Sequence, residues 1–190
     1  NHPGASSNKP SYLASGLNGK GVISFTQNQS FSLTSDTTIR LIAAVIKQSS
    51  TQSSVTKPFG GNQNFTSAAQ KWTLGAMDSG LSTANYSVVV WQMAPGAYSL
   101  YVNGNNKGSS TSSLSPDAFN KVGNDFSGSI AEVVAYDRGI TNGVRQKLEG
   151  YLSHKWGLEN SLPSVHSYKV AKPGFGGTQV LTFQPISDRQ

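Results

Sequence analysis

Cysteine is absent from this 190-residue chain, so it has no disulfide framework, no thiolate metal site and no cysteine nucleophile. Charge is scarce too, with Asp, Glu, Lys and Arg at 13% of residues. Ser, Thr, Asn, Gly and Gln fill the spaces between short apolar runs instead, as they do on turn-rich, water-facing β-surfaces. No apolar run approaches the roughly 20 residues of a membrane-spanning helix, so no membrane insertion is expected. The longest run, "IRLIAAVI" at 39 to 46, fits a buried strand. Basic runs are also missing. The net charge of +6 would suit an anionic partner if it were clustered. However, Lys9, Lys20, Arg40, Lys47, Lys57, Lys71, Lys107 and Lys121 stand singly, without the interleaved aromatics of a nucleic-acid groove. No nucleic-acid partner is expected.

What is present has the length of one ordinary domain, able to bury a core without staples. Residues 1 to 20 read as loop, and "VISF" (22 to 25) is the first apolar alternation. "TTIRLIAAVIK" (37 to 47) reads as one long strand covered on both faces or central to a sandwich. Residues 48 to 70, with Pro58 and Gly60-Gly61, have no period and read as a long excursion, equally suited to a ligand loop or a plain rim loop. "NYSVVVWQM", "APG" and "AYSLYVNG" (85 to 104) form a hairpin pattern ending in an Asn103-Gly104 turn. On its second arm Tyr98, Leu100 and Val102 alternate with Ser99, Tyr101 and Asn103, which gives one core face and one wet face.

A last strand, "SGSIAEVVAYD" (127 to 137), precedes a change of period. Val144, Leu148, Tyr151, Leu152 and Lys155 form one helical stripe, with Thr141 as N-cap and Gly157 as the stop. A single short helix after many strands suits packing at the edge or end of a sandwich. Beyond it, residues 159 to 177 are Pro/Gly-punctuated, and "TQVLTFQPI" (178 to 186) begins strand character again.

The segments "GLNGKGVISF" (16 to 25), "YSLYVNGNNKG" (98 to 108), "FSGSIAEVVAYDRGIT" (126 to 141) and above all "RQKLEGYLSHKWGL" (145 to 158) resemble the laminin-G-like members of the concanavalin A-like lectin/glucanase superfamily, as found in bacterial surface and secreted proteins. That resemblance implies an all-β, two-sheet antiparallel jelly-roll sandwich with one short C-terminal α-helix. Against the family pattern, a segment before "LNGK" is missing, which would leave a sheet edge without a partner strand. The tail resembles the opening of an immunoglobulin-like repeat. The expected organisation is a laminin-G-like jelly roll over 1–168, a linker over 169–177 and the start of an immunoglobulin-like domain over 178–190. The chain is thus expected to be covalently part of a larger modular protein, secreted or at the cell surface. Its start at Asn1 fits either removal of a signal peptide or excerpting from a longer chain.

Glucanases on this fold place carboxylates at i, i+2 and i+4 of one strand, where they share a face. In "IAEVVAYD" the acids are Glu132 and Asp137, five apart and so on opposite faces, with Val134 and Tyr136 where partners of Glu132 should stand. A retaining pair needs carboxyl groups about 5 to 5.5 Å apart. No catalytic residue is assigned, and a glycoside hydrolase is the least favoured reading. It would need Asp125 or Glu149 beside Glu132.

His2, His154 and His166 show no ligand spacing, and neither a Gly-x-Ser-x-Gly elbow nor a phosphate loop appears. Related domains hold calcium at the sandwich rim, so Ca2+ is the one cofactor considered, with Asp125, Asp78 and Asp36 as loop carboxylates of the right type. Turn formation explains the same residues. Carbohydrate sites set aromatic faces against sugar C–H surfaces, which makes Trp91, Tyr101, Trp72 and Tyr86 the ligand-binding candidates. The expected function is a non-catalytic adhesion module binding a glycan or cell-surface polysaccharide. The alternative is a spacer or decoration domain, in an adhesin or on a virion, with no ligand of its own.

Overall fold

Strand β4 (Leu41–Gln48) is buried along nearly its whole length. Its sequence, LIAAVIKQ, supplies apolar side chains to both faces, as a strand covered on two sides requires. The computed structural model describes residues 9–49, 55–60, 65–94, 96–112, 114 and 117–174. In it β4 is the middle strand of a seven-stranded antiparallel sheet. On one side lie β13 (Gly128–Tyr136), β2 (Lys20–Phe25) and, at the edge, β1 (Ser11–Leu17). On the other lie β9 (Ser87–Ala94), β10 (Ala97–Val102) and β11 (Asn105–Ser110).

Period-two alternation sends each strand's residues to two different cores. Inward, Ile42, Ala44 and Ile46 join Val89, Trp91, Met93, Leu100 and Val102. Outward, Leu41, Ala43 and Val45 join Val88, Val90 and Val134. The inner core is closed by two three-stranded sheets: β3 (Gln29–Ile39), β12 (Asp117–Asn124) and β5 (Phe59–Gly60), and then β6 (Phe65–Ala68), β7 (Lys71–Leu74) and β8 (Met77–Ser82). Ile39, Phe59 and Phe119 come from the first of these, Trp72 and Leu74 from the second. Trp91 touches both, edge-on to Phe59 at 5.7 Å and to Trp72 at 5.8 Å between ring centroids, and its indole N–H donates to the Thr73 carbonyl at 2.8 Å. The protein is therefore an all-β sandwich with one helix, its smaller layer divided in two.

The outer core is closed by α1 (Asn142–Trp156). Thr141 caps it through Oγ1, which accepts from the Val144 N–H, and Gly157 ends it at a positive φ of 68°. Both ends agree with the sequence, but the position does not. The helix lies across the face of the large sheet rather than at an edge, through Leu148, Leu152 and Trp156. Its stripe is rotated from the expected one: Arg145 and Glu149 are buried, whereas Val144 stays 37% exposed. The reason is charge compensation between the two buried ions, described below.

Three other segments differ from the sequence reading. The expected long strand breaks at Arg40, where the chain leaves β3 in the small layer and enters β4 in the large one. Residues 11 to 17, expected as loop, form β1, and the 48–70 excursion contains β5 and β6. β1 is exposed along most of its length, and β5 and β6 are only two and four residues long, so no apolar period marks them; of the three only β5 has a distant partner, β12. The hairpin is as expected, with Ala94 opposite Ala97 and the Asn103-Gly104 turn at φ 51° and 75°. His2 and the 178–190 segment lie outside the described residues. Among those described, no helix is long and apolar enough to cross a membrane.

Because Trp91 joins the large sheet to both small ones, Trp91→Ala is expected to cost about 4 kcal/mol. Urea unfolding measures this, and a loss below about 1 kcal/mol would show that the inner core does not depend on it.

Candidate functional site

Glu132 lies on β13 at a bulge. The pairing with β4 runs from Ile130 opposite Ile46 to Glu132 opposite Val45, which leaves Ala131 as the extra residue. The bulge turns Glu132 to the outer face, under α1. There the carboxylate accepts from Trp156 Nε1 at 2.6 Å, Lys155 Nζ at 3.0 Å and Tyr151 OH at 3.5 Å. Burial pushes the Lys155 ammonium down, but the bonds to Glu132 and Tyr151 outweigh it, so its pKa stands above the ordinary lysine value. Asp137, past the end of β13, is exposed and pairs with Arg138.

A second buried acid sits on α1 itself. Glu149, fully buried, receives Arg145 Nη1 on both oxygens at 2.7 and 2.6 Å and His166 Nε2 at 3.2 Å. The Tyr168 N–H donates to His166 Nδ1, which places the imidazole proton on Nε2, facing Glu149. Arg145 also covers the Tyr101 ring, its guanidinium carbon 3.7 Å from the ring centroid. Both buried acids therefore fasten α1 and the segment after it to the sheet.

The most specific sequence segments meet in space for the same purpose. Asn18, in "LNGK", donates from Nδ2 to the Trp156 and Gly157 carbonyls at 2.7 and 3.1 Å, closing the helix C-terminus. His154 bonds the Tyr168 carbonyl. Gly104, in "YVNG", leaves room for His166, whose Cδ2 would stand 2.8 Å from a Cβ there.

The aromatic candidates separate accordingly. Trp91 and Trp72 have no exposed surface, and Tyr101 is half-buried beneath Arg145. Tyr86 differs: it lines an open depression of about 360 Å3 together with Leu81, Ser82, Asn85, Ser87, Asn103 and Ser161. Ser87 pairs with Ile46, which sets Tyr86 beside Lys47 on the outer face, the ammonium 4.8 Å from the ring centroid. Burial raises the Tyr86 phenol above its ordinary pKa. Asn103 is fixed from both sides by Val88, its Oδ1 accepting the Val88 N–H at 2.9 Å and its own N–H donating to the Val88 carbonyl at 2.7 Å. Ser161 is held in a 3-10 turn, Glu159–Ser161, around which Lys169 Nζ bonds the carbonyls of Glu159, Asn160 and Leu162 at 2.7 to 2.9 Å.

Tyr86 was visible in the sequence as a binding candidate. Asn85 and Ser161 were not, because only the folded chain brings the start of β9 to the segment after α1. The one local signal was the Asn103-Gly104 turn at its rim.

Among the described residues no three His, Asp or Glu side chains come together as a metal site. Asp78, on β8, accepts the Gly80 N–H at 2.7 Å and pairs with Lys71 at 3.0 Å. The Gly80 bond, with a smaller contribution from Lys71, holds its pKa below the ordinary aspartate value. Asp125 is exposed between β12 and β13. Asp36 lies on β3, and its side chain falls outside what the structure describes.

No protein-family model matches the chain, and no curated protein matches it. Among solved structures it is similar to domain 4 of AbnA, a GH43 extracellular arabinanase from Geobacillus stearothermophilus, in complex with arabinotriose. The identity is 14%, over 74% of this chain and 79% of that one, with a TM-score of 0.45. A likeness of that size carries no argument, and the β-sandwich assignment stands on the strand pairings themselves.

Glu132→Ala, which strands Trp156 Nε1 and the Lys155 charge, is expected to lower stability by about 3 kcal/mol in urea unfolding. An acid dependence follows from Asp78. Its folded pKa is depressed, so its stabilising contribution is present above the ordinary aspartate pKa and is lost as pH falls through the lower folded value. Melting temperatures between about pH 6 and pH 2 should show a shallower acid decline in Asp78→Asn than in the native chain.

Proposed function

We propose that this chain is a non-catalytic glycan-binding β-sandwich module of laminin-G-like type, serving adhesion in an extracellular multidomain protein. The observation that carries the reading is the depression at Tyr86. It sets an aromatic ring beside the amide residues Asn85 and Asn103 and the serines Ser82 and Ser161, the combination that recognises the C–H and O–H surfaces of a sugar. No carboxylate lines it. The non-catalytic part of the reading is supported by the commitments of the buried acids, since Glu132 and Glu149 each hold a cation and at least one further donor within the seam under α1. A carboxyl group fixed in that way is a poor acid or nucleophile toward a sugar outside. A spacer without a ligand is the rival, and binding measurements decide between them.

Affinity electrophoresis against a panel of neutral and acidic polysaccharides, with calcium and after EDTA, is the test. At least one polysaccharide should retard the native chain. Tyr86→Ala should weaken that retention about tenfold, while Tyr12→Ser, at an exposed aromatic on the β1 edge, leaves it unchanged. If the folded protein is retarded by none of them, the spacer reading replaces this one. Release of reducing sugar that disappears in Glu132→Gln would replace it with a hydrolase.

A further inference from the structure

Several cations of the described fold are held by acids or carbonyls, whereas others, Lys47 among them, show no such partner among the described residues. Lys71 pairs with Asp78, Arg138 with Asp137, Arg145 with Glu149 and Lys155 with Glu132. Lys169 is surrounded by three carbonyls. Lys47 has neither a carboxylate nor a carbonyl. It is half-buried on β4, and its ammonium rests over the Tyr86 ring. Its β13 neighbour is Ser129. Glu132, three residues further along β13, has its charge taken up by Lys155 and its second oxygen by Trp156. A partly desolvated ammonium against an aromatic face keeps its strongest interaction, the one with an anion, unused. It adjoins the one wall of the depression that is aromatic, and none of the lining residues is acidic to compete for it.

We propose that the ligand of the Tyr86 depression is an acidic glycan, with Lys47 binding its anionic group while Tyr86 receives the sugar ring and Asn85 and Asn103 its hydroxyls. This rests on the glycan-binding reading above and adds the charge class. The shared chemistry is an anion on a pyranose, either a uronate carboxylate or a sulfate ester. A neutral sugar gains nothing from Lys47. An acidic one gains a charge-assisted contact with an ammonium whose position the Tyr86 ring already limits, which reduces the ordering cost of binding.

Calorimetry with matched pairs separates the possibilities: polygalacturonate against its methyl ester, and dextran sulfate against dextran. The acidic member of at least one pair should bind about tenfold tighter than its neutral counterpart, and which pair shows the difference identifies carboxylate or sulfate. Lys47→Gln should abolish the difference with the melting temperature little changed. Lys47→Arg should retain it, and Lys147→Gln, which removes the same charge from the exposed face of α1, should leave it within about twofold. Equal binding of acidic and neutral members overturns this inference and leaves the glycan reading intact. An equal loss in Lys147→Gln and Lys47→Gln also overturns it, because the attraction is then to net charge. Failure to bind any member of either pair, or any of the wider panel, removes both.

Discussion

A sheet whose middle strand is apolar on both faces has to be covered twice, and the architecture of this protein is the way that requirement is met. Two small sheets cover the inner face around Trp91, and α1 with the chain after it covers the outer one. Burying side chains such as Leu148 and Leu152 contributes roughly 2 kcal/mol each, but apolar contact alone is non-directional and does not fix where a helix lies on a flat sheet. Position comes from the polar seam. Glu132 receives donors from three helix residues, and Glu149 receives them from α1 and from the segment beyond it, so a shift of one residue along the helix would leave a buried charge unsatisfied.

The seam also places the candidate site. His166 ties the chain after α1 to Glu149, Gly104 lets it lie against the β10–β11 turn, and Lys169 closes the turn that carries Ser161. The wall of the depression therefore inherits its geometry from interactions some distance away. A protein with few charges has placed two of its acids, Glu132 and Glu149, in this outer layer, where they organise structure. The exposed depression is lined by amides, serines, Leu81 and a ring, beside a lysine that lacks an acid partner among the described residues.

Much of the fold was legible because the signals for it are local. Alternation in β9 and β10, the Asn103-Gly104 turn, and the caps Thr141 and Gly157 each depend on neighbours within a few residues. The rotated stripe of α1 was not legible: Arg145 and Glu149, four apart, have the pattern of a solvent-exposed pair, and nothing local says that His166 and Tyr101 will enclose them. Likewise Trp72, Trp91 and Tyr101 met the chemical description of a sugar platform, yet two are core and one lies under Arg145. Exposure is a property of the packed layers, and an aromatic side chain serves equally well in either place.

By itself the sequence determined that the chain would be a β-rich sandwich with one capped helix, because strand and helix periods are properties of adjacent residues. Tertiary structure alone decided that the helix would lie across the sheet, that both buried acids would serve its docking, and that Tyr86 would meet Asn103, Ser161 and Lys47. Those residues are separated by as much as 114 positions, Lys47 to Ser161. Contacts at such a distance arise only from the closure of a long loop, which no window of neighbouring residues encodes.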